Sequence, residues 1–194
     1  MPVQFRDADD INALGTAGYL KFVRDPAGGN TRGALFVINA RGEPLEFTYN
    51  TIDTPNSVLW RQHDIHRYAV RTLTTSIFGA TMRTPRVLLC LASEVPHDLF
   101  IRELEVATPV CRVAAALQTA IFSPQEIREM VEGEEPQHLF WYPTAPAEGS
   151  AERQLISRLT MSGLLLEPFE RALVGLREVF GDSQPQVRQA PSPA

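Results

Sequence analysis

The chain has 194 residues and a mass of 21.6 kDa, is 44% apolar and 21% charged, and carries a formal net charge of −5. Those values suit one globular domain, or a domain with an extension. They exclude collagen, coiled coil and wholesale disorder, and two cysteines exclude a disulfide framework.

The negative excess is local. Residues 1–122 carry twelve acidic and twelve basic side chains, whereas residues 123–194 carry eleven and six. An acidic chain is a poor electrostatic match for nucleic acid, but a neutral first part leaves room for a local basic surface. Lys21 is the only lysine among 18 basic residues. The acidic segment Met1–Asp10 lacks the basic and apolar regions of a signal peptide. Apolar runs such as Val87–Ala92 have strand length. The expectation is a cytoplasmic protein with no membrane contact.

Tyr19–Arg24 alternates apolar and polar residues, and Gly28-Gly29-Asn30 supplies hairpin chemistry. Gly33–Asn39 is a denser apolar strand. After the turn Arg41–Pro44, Leu45, Phe47 and Tyr49 alternate with polar residues. This predicts an antiparallel meander. Thr51–Asn56 reads as a polar loop, and a helix capped by Asn56 or Ser57 runs to about Phe78. Its apolar stripe is Leu59, His63, His66, Val70, Leu73 and Ile77. A buried strand follows at Arg86–Ala92, then a short helix at His97–Glu105 and a strand at Pro109–Ala114.

Further along, Ser123-Pro124-Gln125-Glu126 predicts a helix N-terminus, with that helix reaching Glu132. His138–Tyr142 is an aromatic cluster, Thr144–Gly149 a linker, and Ala151–Ser162 and Pro168–Phe180 are helices. The expected organisation is an α/β (α+β) core at 1–122, a C-terminal helical extension packed on it at 123–181, and a disordered tail at 182–194. Three antiparallel strands, a helix and a further central strand are the order of the ribonuclease-H-like fold. A roadblock or profilin-like fold is the alternative.

That order implies a test for nuclease chemistry. Two metal ions need several carboxylates, to clamp both the attacking and the leaving oxygen. The ribonuclease-H-like pattern places an acid midway along strand 1, a Glu on the first helix and an Asp at the end of the central strand. Here strand 1 has Lys21, the helix has Asp64 but no Glu, and the central strand ends at Ser93-Glu94. A zinc site could be drawn from His63, His66, Cys90 and Cys111, but neither cysteine has the close partner that structural zinc sites use, and the histidines read better as partly buried and hydrogen-bonded under the sheet. His97-Asp98 is better read as a helix start than as a base and its orienter. No P-loop, dinucleotide fingerprint or nucleophile elbow is present.

Binding candidates are three groups. Asn50, Thr51 and Asp53 belong to a polar loop that could line a pocket. Arg61, Arg67, Arg71, Arg83 and Arg86 make residues 57–90 locally basic, suited to nucleic acid or to the acidic segment Glu126–Glu135 of the same chain. Phe140, Trp141 and Tyr142 are interface anchors or a packed strand.

Two segments carry a resemblance. Phe36–Tyr49, with Gly42-Glu43-Pro44-Leu45-Glu46-Phe47, and Leu164–Arg171, reading Leu-Leu-Leu-Glu-Pro-Phe-Glu-Arg, resemble segments of one bacterial protein family. The resemblance implies no activity. It implies that the C-terminal helices belong to the module.

The leading expectation is a non-enzymatic accessory or protein-interaction subunit of a larger bacterial assembly, with another protein as partner and no cofactor, metal or catalytic residue assigned. One alternative is a divergent metal-dependent nuclease or nucleic-acid-processing protein in which Glu46, Asp64 and Glu94 converge. Another is a small-molecule sensor using the Asn50–Thr54 loop.

Overall fold

The computed structural model describes residues 11–25, 29–55, 58–115, 123–132 and 136–181. A short helix α1 (Ile11–Leu14) leads into the meander β1 (Thr16–Arg24), β2 (Asn30–Asn39) and β3 (Pro44–Asp53). Then come α2 (Gln62–Ala80), β4 (Val87–Leu91), a π turn (Leu99–Glu103) and β5 (Val110–Ala115). The chain continues through β6 (Ile127–Val131), β7 (Gln137–Tyr142), α3 (Ala151–Met161) and α4 (Glu167–Phe180). The strands form one sheet in the order β3-β2-β1-β4-β5-β7-β6. β1, β4 and β5 run parallel, while β2 and β7 are antiparallel to their neighbours.

Alternation along the strands divides the core between the two faces. Leu20, Phe22, Leu35, Val37, Leu88 and Cys90 meet Val70, Leu73 and Ile77 of α2. On the other face Tyr19, Phe36, Leu89, Cys111 and Trp141 meet Leu155 and Leu159 of α3 and Phe169 and Ala172 of α4. The Tyr19 and Phe169 rings pack edge to face at 5.0 Å. The Tyr19 hydroxyl donates to the Leu164 carbonyl at 2.6 Å.

The two segments that carry the family resemblance touch. Arg171 Nη1 donates to the Gly42 carbonyl at 2.7 Å, and its guanidinium lies over the Phe36 ring. Gly42 has φ +82°, and a Cβ there would sit 2.9 Å from Leu164, so the turn and the α4 entry are built around a missing side chain.

Several expectations change. Residues 51–53, read as loop, are the end of β3. Helix α2 starts at Gln62 with Arg61 as N-cap residue, while the expected caps Asn56 and Ser57 lie outside the described residues. The later start moves the buried stripe to Ile65, Ala69, Val70, Leu73, Thr74 and Ile77, leaving Leu59 and His63 in solvent. The segment expected as a helix at 123–132 is a turn followed by strand β6. Half of the capping box does form: Ser123 N–H donates to Glu126 Oε2 at 2.8 Å, while Ser123 Oγ accepts from Gln125 N–H at 3.2 Å rather than from Glu126. The Glu126 carboxylate is also taken by Arg112 of β5, at 2.8 and 3.0 Å. That anchors the turn to the sheet and delivers the following residues to β7. The expected tail, 182–194, lies outside the described residues.

Glu129 of β6 joins the second face. Arg153 of α3 grips its two oxygens at 2.7 and 2.8 Å, and Trp141 Nε1 donates to it at 3.0 Å. The Arg153 hydrogen bonds hold the carboxyl below its ordinary range against the opposing effect of partial burial, with Trp141 adding to them. A depressed folded-state pKa contributes stability above the unfolded value, near 4.5, that disappears as pH falls through the folded value. Urea midpoints measured across this range are expected to drop less steeply in Glu129→Gln than in the wild type.

Candidate functional site

Strand β4 stops at Leu91 while β1 continues to Arg24, so the β1 backbone beyond Leu20 has no ladder partner on the β4 side. The turn after β4 fills that space. Glu94 N–H and Val95 N–H both donate to the Leu91 carbonyl at 3.0 Å, and the Glu94 side chain swings back over β1. Its Oε2 accepts the Phe22 N–H at 3.0 Å, and its Oε1 forms an ion pair with the Lys21 ammonium. Both side chains are largely enclosed, at 10% and 19% exposure.

The turn is pinned from two sides. His66 Nε2 of α2 donates to the Glu94 carbonyl at 2.7 Å. Arg112 of β5 donates to the Val95 and Ala92 carbonyls at 3.1 and 3.2 Å while holding Glu126. Arg67 pairs with Asp98 at 3.1 Å and with Glu103, and Arg71 reaches Glu103 at 3.6 Å. These tie α2 to the π turn. A cleft of about 560 Å³ opens beside it, lined by Phe100, Arg102, Glu103, Tyr142 and Pro143 among others.

At the entry to α2 the surface is aromatic. Trp60 and Tyr68 pack edge to face at 5.7 Å with much of both rings in solvent. Val58 and Leu59 beside them are 83% and 85% exposed. Arg61 hydrogen-bonds Asp64 at 2.7 Å, which lowers the Asp64 pKa, and Arg24 Nη1 donates to Gln62 at 2.7 Å.

The carboxylates expected to converge do not. Glu46 lies at the opposite end of α2, where it accepts Met82 N–H at 2.8 Å and Arg83 N–H at 2.9 Å. Desolvation works against its ionisation, but these N–H groups and the Thr48 hydroxyl outweigh it and keep the carboxyl below its ordinary range. His66, which holds Glu94, is separated from Ala80, the last residue of α2 before Met82, by roughly 21 Å of helix at 1.5 Å per residue. Asp64 is in solvent with Arg61.

The zinc set is also dispersed. Cys90 and Cys111 point to opposite faces of the sheet, and burial pushes the Cys90 thiol up to about 12 and Cys111 well above its usual value. His63 is 73% exposed. Asp98 makes no side-chain cap bond and instead meets Arg67.

Of the binding candidates, Asn50 bonds Ser76 at 2.5 Å and Thr51 Oγ1 donates to the Thr31 carbonyl at 3.3 Å, so both tie β3 to its neighbours. Asp53 is exposed at the end of β3, opposite Asn30. Phe140 and Trp141 are core, and Tyr142 alone of the three lines a cleft. The arginines do not form one face. Arg61, Arg67 and Arg71 follow α2, whereas Arg83 lies at its far end and Arg86 reaches Glu152 of α3 at 3.5 Å. Among the described residues their acidic partners on α2 and the π turn are Asp64, Asp98 and Glu103, and Glu134 and Glu135 of the segment expected to meet them lie outside those residues.

Comparison with solved structures identifies the architecture. Endonuclease V of Bacillus subtilis superposes over 88% of this chain and 83% of its own, with a TM-score of 0.60 at 12% identity. Endonuclease V of Streptomyces avermitilis covers 87% and 82%, with a TM-score of 0.54 at 11% identity. The chain has the ribonuclease-H-like fold. No family model and no curated protein matches the sequence. The fold likeness corrects the expectation of a non-enzymatic accessory or protein-interaction subunit, because the structures sharing this architecture are nucleases. The ribonuclease-H-like alternative is the better supported. Among the described residues no helix is long and apolar enough to cross a membrane.

A sheet of this order implies divalent ions held between carboxylates on β1 and at the end of β4. The residues present do not fit them. Lys21 brings a positive charge where a carboxylate is needed, and both oxygens of Glu94 are already committed. Among the described residues no cluster of three His, Cys, Asp or Glu could hold a metal.

Sequence reasoning missed His66 and Arg112 as the groups that position the Glu94 turn, and Trp60 as a surface residue. The readable signal was an arginine inside the apolar strand Val110–Ala114, where an unpaired guanidinium would be costly.

Proposed function

We propose that this chain is a nucleic-acid-processing protein of ribonuclease-H-like fold that engages nucleic acid where α2 enters, beside the carboxyl end of β4. The exposed Trp60–Tyr68 pair carries this reading. Val58, Leu59 and Trp60 are consecutive and exposed, and apolar side chains grouped in water favour a contact site. Aromatic faces accept any base by stacking, and guanidinium groups take phosphate oxygens. Arg61, which follows Trp60 in the chain with its side chain 88% exposed, and Arg24, which meets Gln62 at the same helix start, supply those groups. The fold supports the same reading, since endonuclease V shares it.

Fluorescence anisotropy with labelled single-stranded and duplex oligonucleotides tests the proposal. Binding is expected at low salt and should weaken as salt rises. Loss of one stacking ring costs about 1–3 kcal/mol per base, so Trp60→Ala is expected to weaken binding about ten-fold with little change in thermal midpoint. Absence of binding to any of these nucleic acids at low salt overturns it.

A further inference from the structure

We propose that the Lys21 ammonium is the resident cation of this site, standing where a sheet of this order holds a divalent ion, and that Lys21→Asp alone converts the same backbone into a divalent-cation site.

The choice of residue points this way. The chain uses arginine for 17 of its 18 basic side chains. Arginine makes the ion pairs of Asp64, Asp98, Glu103, Glu126, Glu129, Glu152 and Glu167. The one lysine lies beneath the Glu94 turn, enclosed by the sheet. A guanidinium is a wide planar fork, whereas an ammonium is a compact point charge on a flexible stem. Of the two, the ammonium is nearer in size and charge distribution to a metal ion.

The surrounding frame does not depend on Lys21. His66 and Arg112 hold the backbone of the Glu94 turn from α2 and β5, and the Phe22 N–H orients the carboxylate. β1 is fixed by β2 along its whole length. Exchanging the ammonium for a carboxylate therefore leaves two acidic groups facing one another from rigid elements. Hard divalent ions bind one or two carboxylates and complete their shells with water. In the native chain the pair is neutral, so nothing there concentrates cations.

Manganese titration of the full chain, with free Mn²⁺ read by electron paramagnetic resonance, tests this without nucleic acid. Its outcome is therefore independent of the binding experiment above. The wild type is expected to leave added Mn²⁺ free. Lys21→Asp is expected to take up one equivalent at least ten-fold more tightly than the wild type, and to lose it when Glu94→Gln is added. Stoichiometric Mn²⁺ uptake by the wild type that depends on Glu94 would overturn the proposal. So would a folded Lys21→Asp chain that binds no better than the wild type. Should Lys21→Asp fail to fold, Lys21→Glu, which supplies the second carboxylate on a longer stem, is titrated instead, and the same two results decide.

Discussion

Arg112→Met is expected to lower folding stability by about 3–5 kcal/mol, the usual cost of breaking a buried ion pair from one side. The Arg112 and Glu126 side chains are 4% and 1% exposed, and removing the guanidinium leaves a carboxylate in the interior with, among the described residues, the Ser123 N–H alone to satisfy it. Glu126→Met leaves the converse problem. Replacing both by methionine should recover much of either loss, because no uncompensated charge remains. Urea denaturation of the four chains measures this, and additive single losses would show that the two residues do not act as a pair. Arg112 also holds the Ala92 and Val95 carbonyls, so the single variant loosens the turn that carries Glu94 and with it the Lys21 pair. A buried contact in β5 thus supports the site from behind.

Trp141→Ala is expected to cost about 3–5 kcal/mol as well, the range for deleting a large aromatic from a packed core. Trp141 is fully enclosed between the sheet and α3, donates to Glu129, and lies under the Arg153 guanidinium. Its removal opens a void and frees one anchor of the Glu129–Arg153 pair. The loss should appear in the urea midpoint, while nucleic-acid affinity measured on the folded fraction stays unchanged. A weakened affinity with unaltered stability would instead make Trp141 a surface anchor.

The meander was legible because its apolar residues alternate with a period of two and its turns carry Gly and Asn. The departure at Lys21 was legible too, since an ammonium in the middle of β1 contradicts a two-metal site whatever surrounds it. What it pairs with was not, because Glu94 arrives through a turn 73 residues away. β6 was misread for a physical reason. Ser123 and Glu126 satisfy a helix-start pattern and make half of its bonds, and only the distant Arg112 diverts the chain into a strand. Trp60 was hidden by assigning its neighbour Leu59 to the buried helix stripe, when the helix begins at Gln62 and leaves the pair of residues outside. The arginine spacing marked a basic segment but not its pairing, since Arg61 meets Asp64, Arg67 and Arg71 meet the π turn and Arg86 meets Glu152.

The enclosed lysine has a practical corollary for handling this protein. Reagents that acylate side-chain amines, including the common cross-linkers and immobilisation chemistries, find their single side-chain target shut beneath Glu94 while the chain is folded. Modification at Lys21 then reports opening of the β1–β4 end of the sheet. Its rate under increasing denaturant gives a residue-specific measure of how often that end opens, obtained without a probe added to the surface.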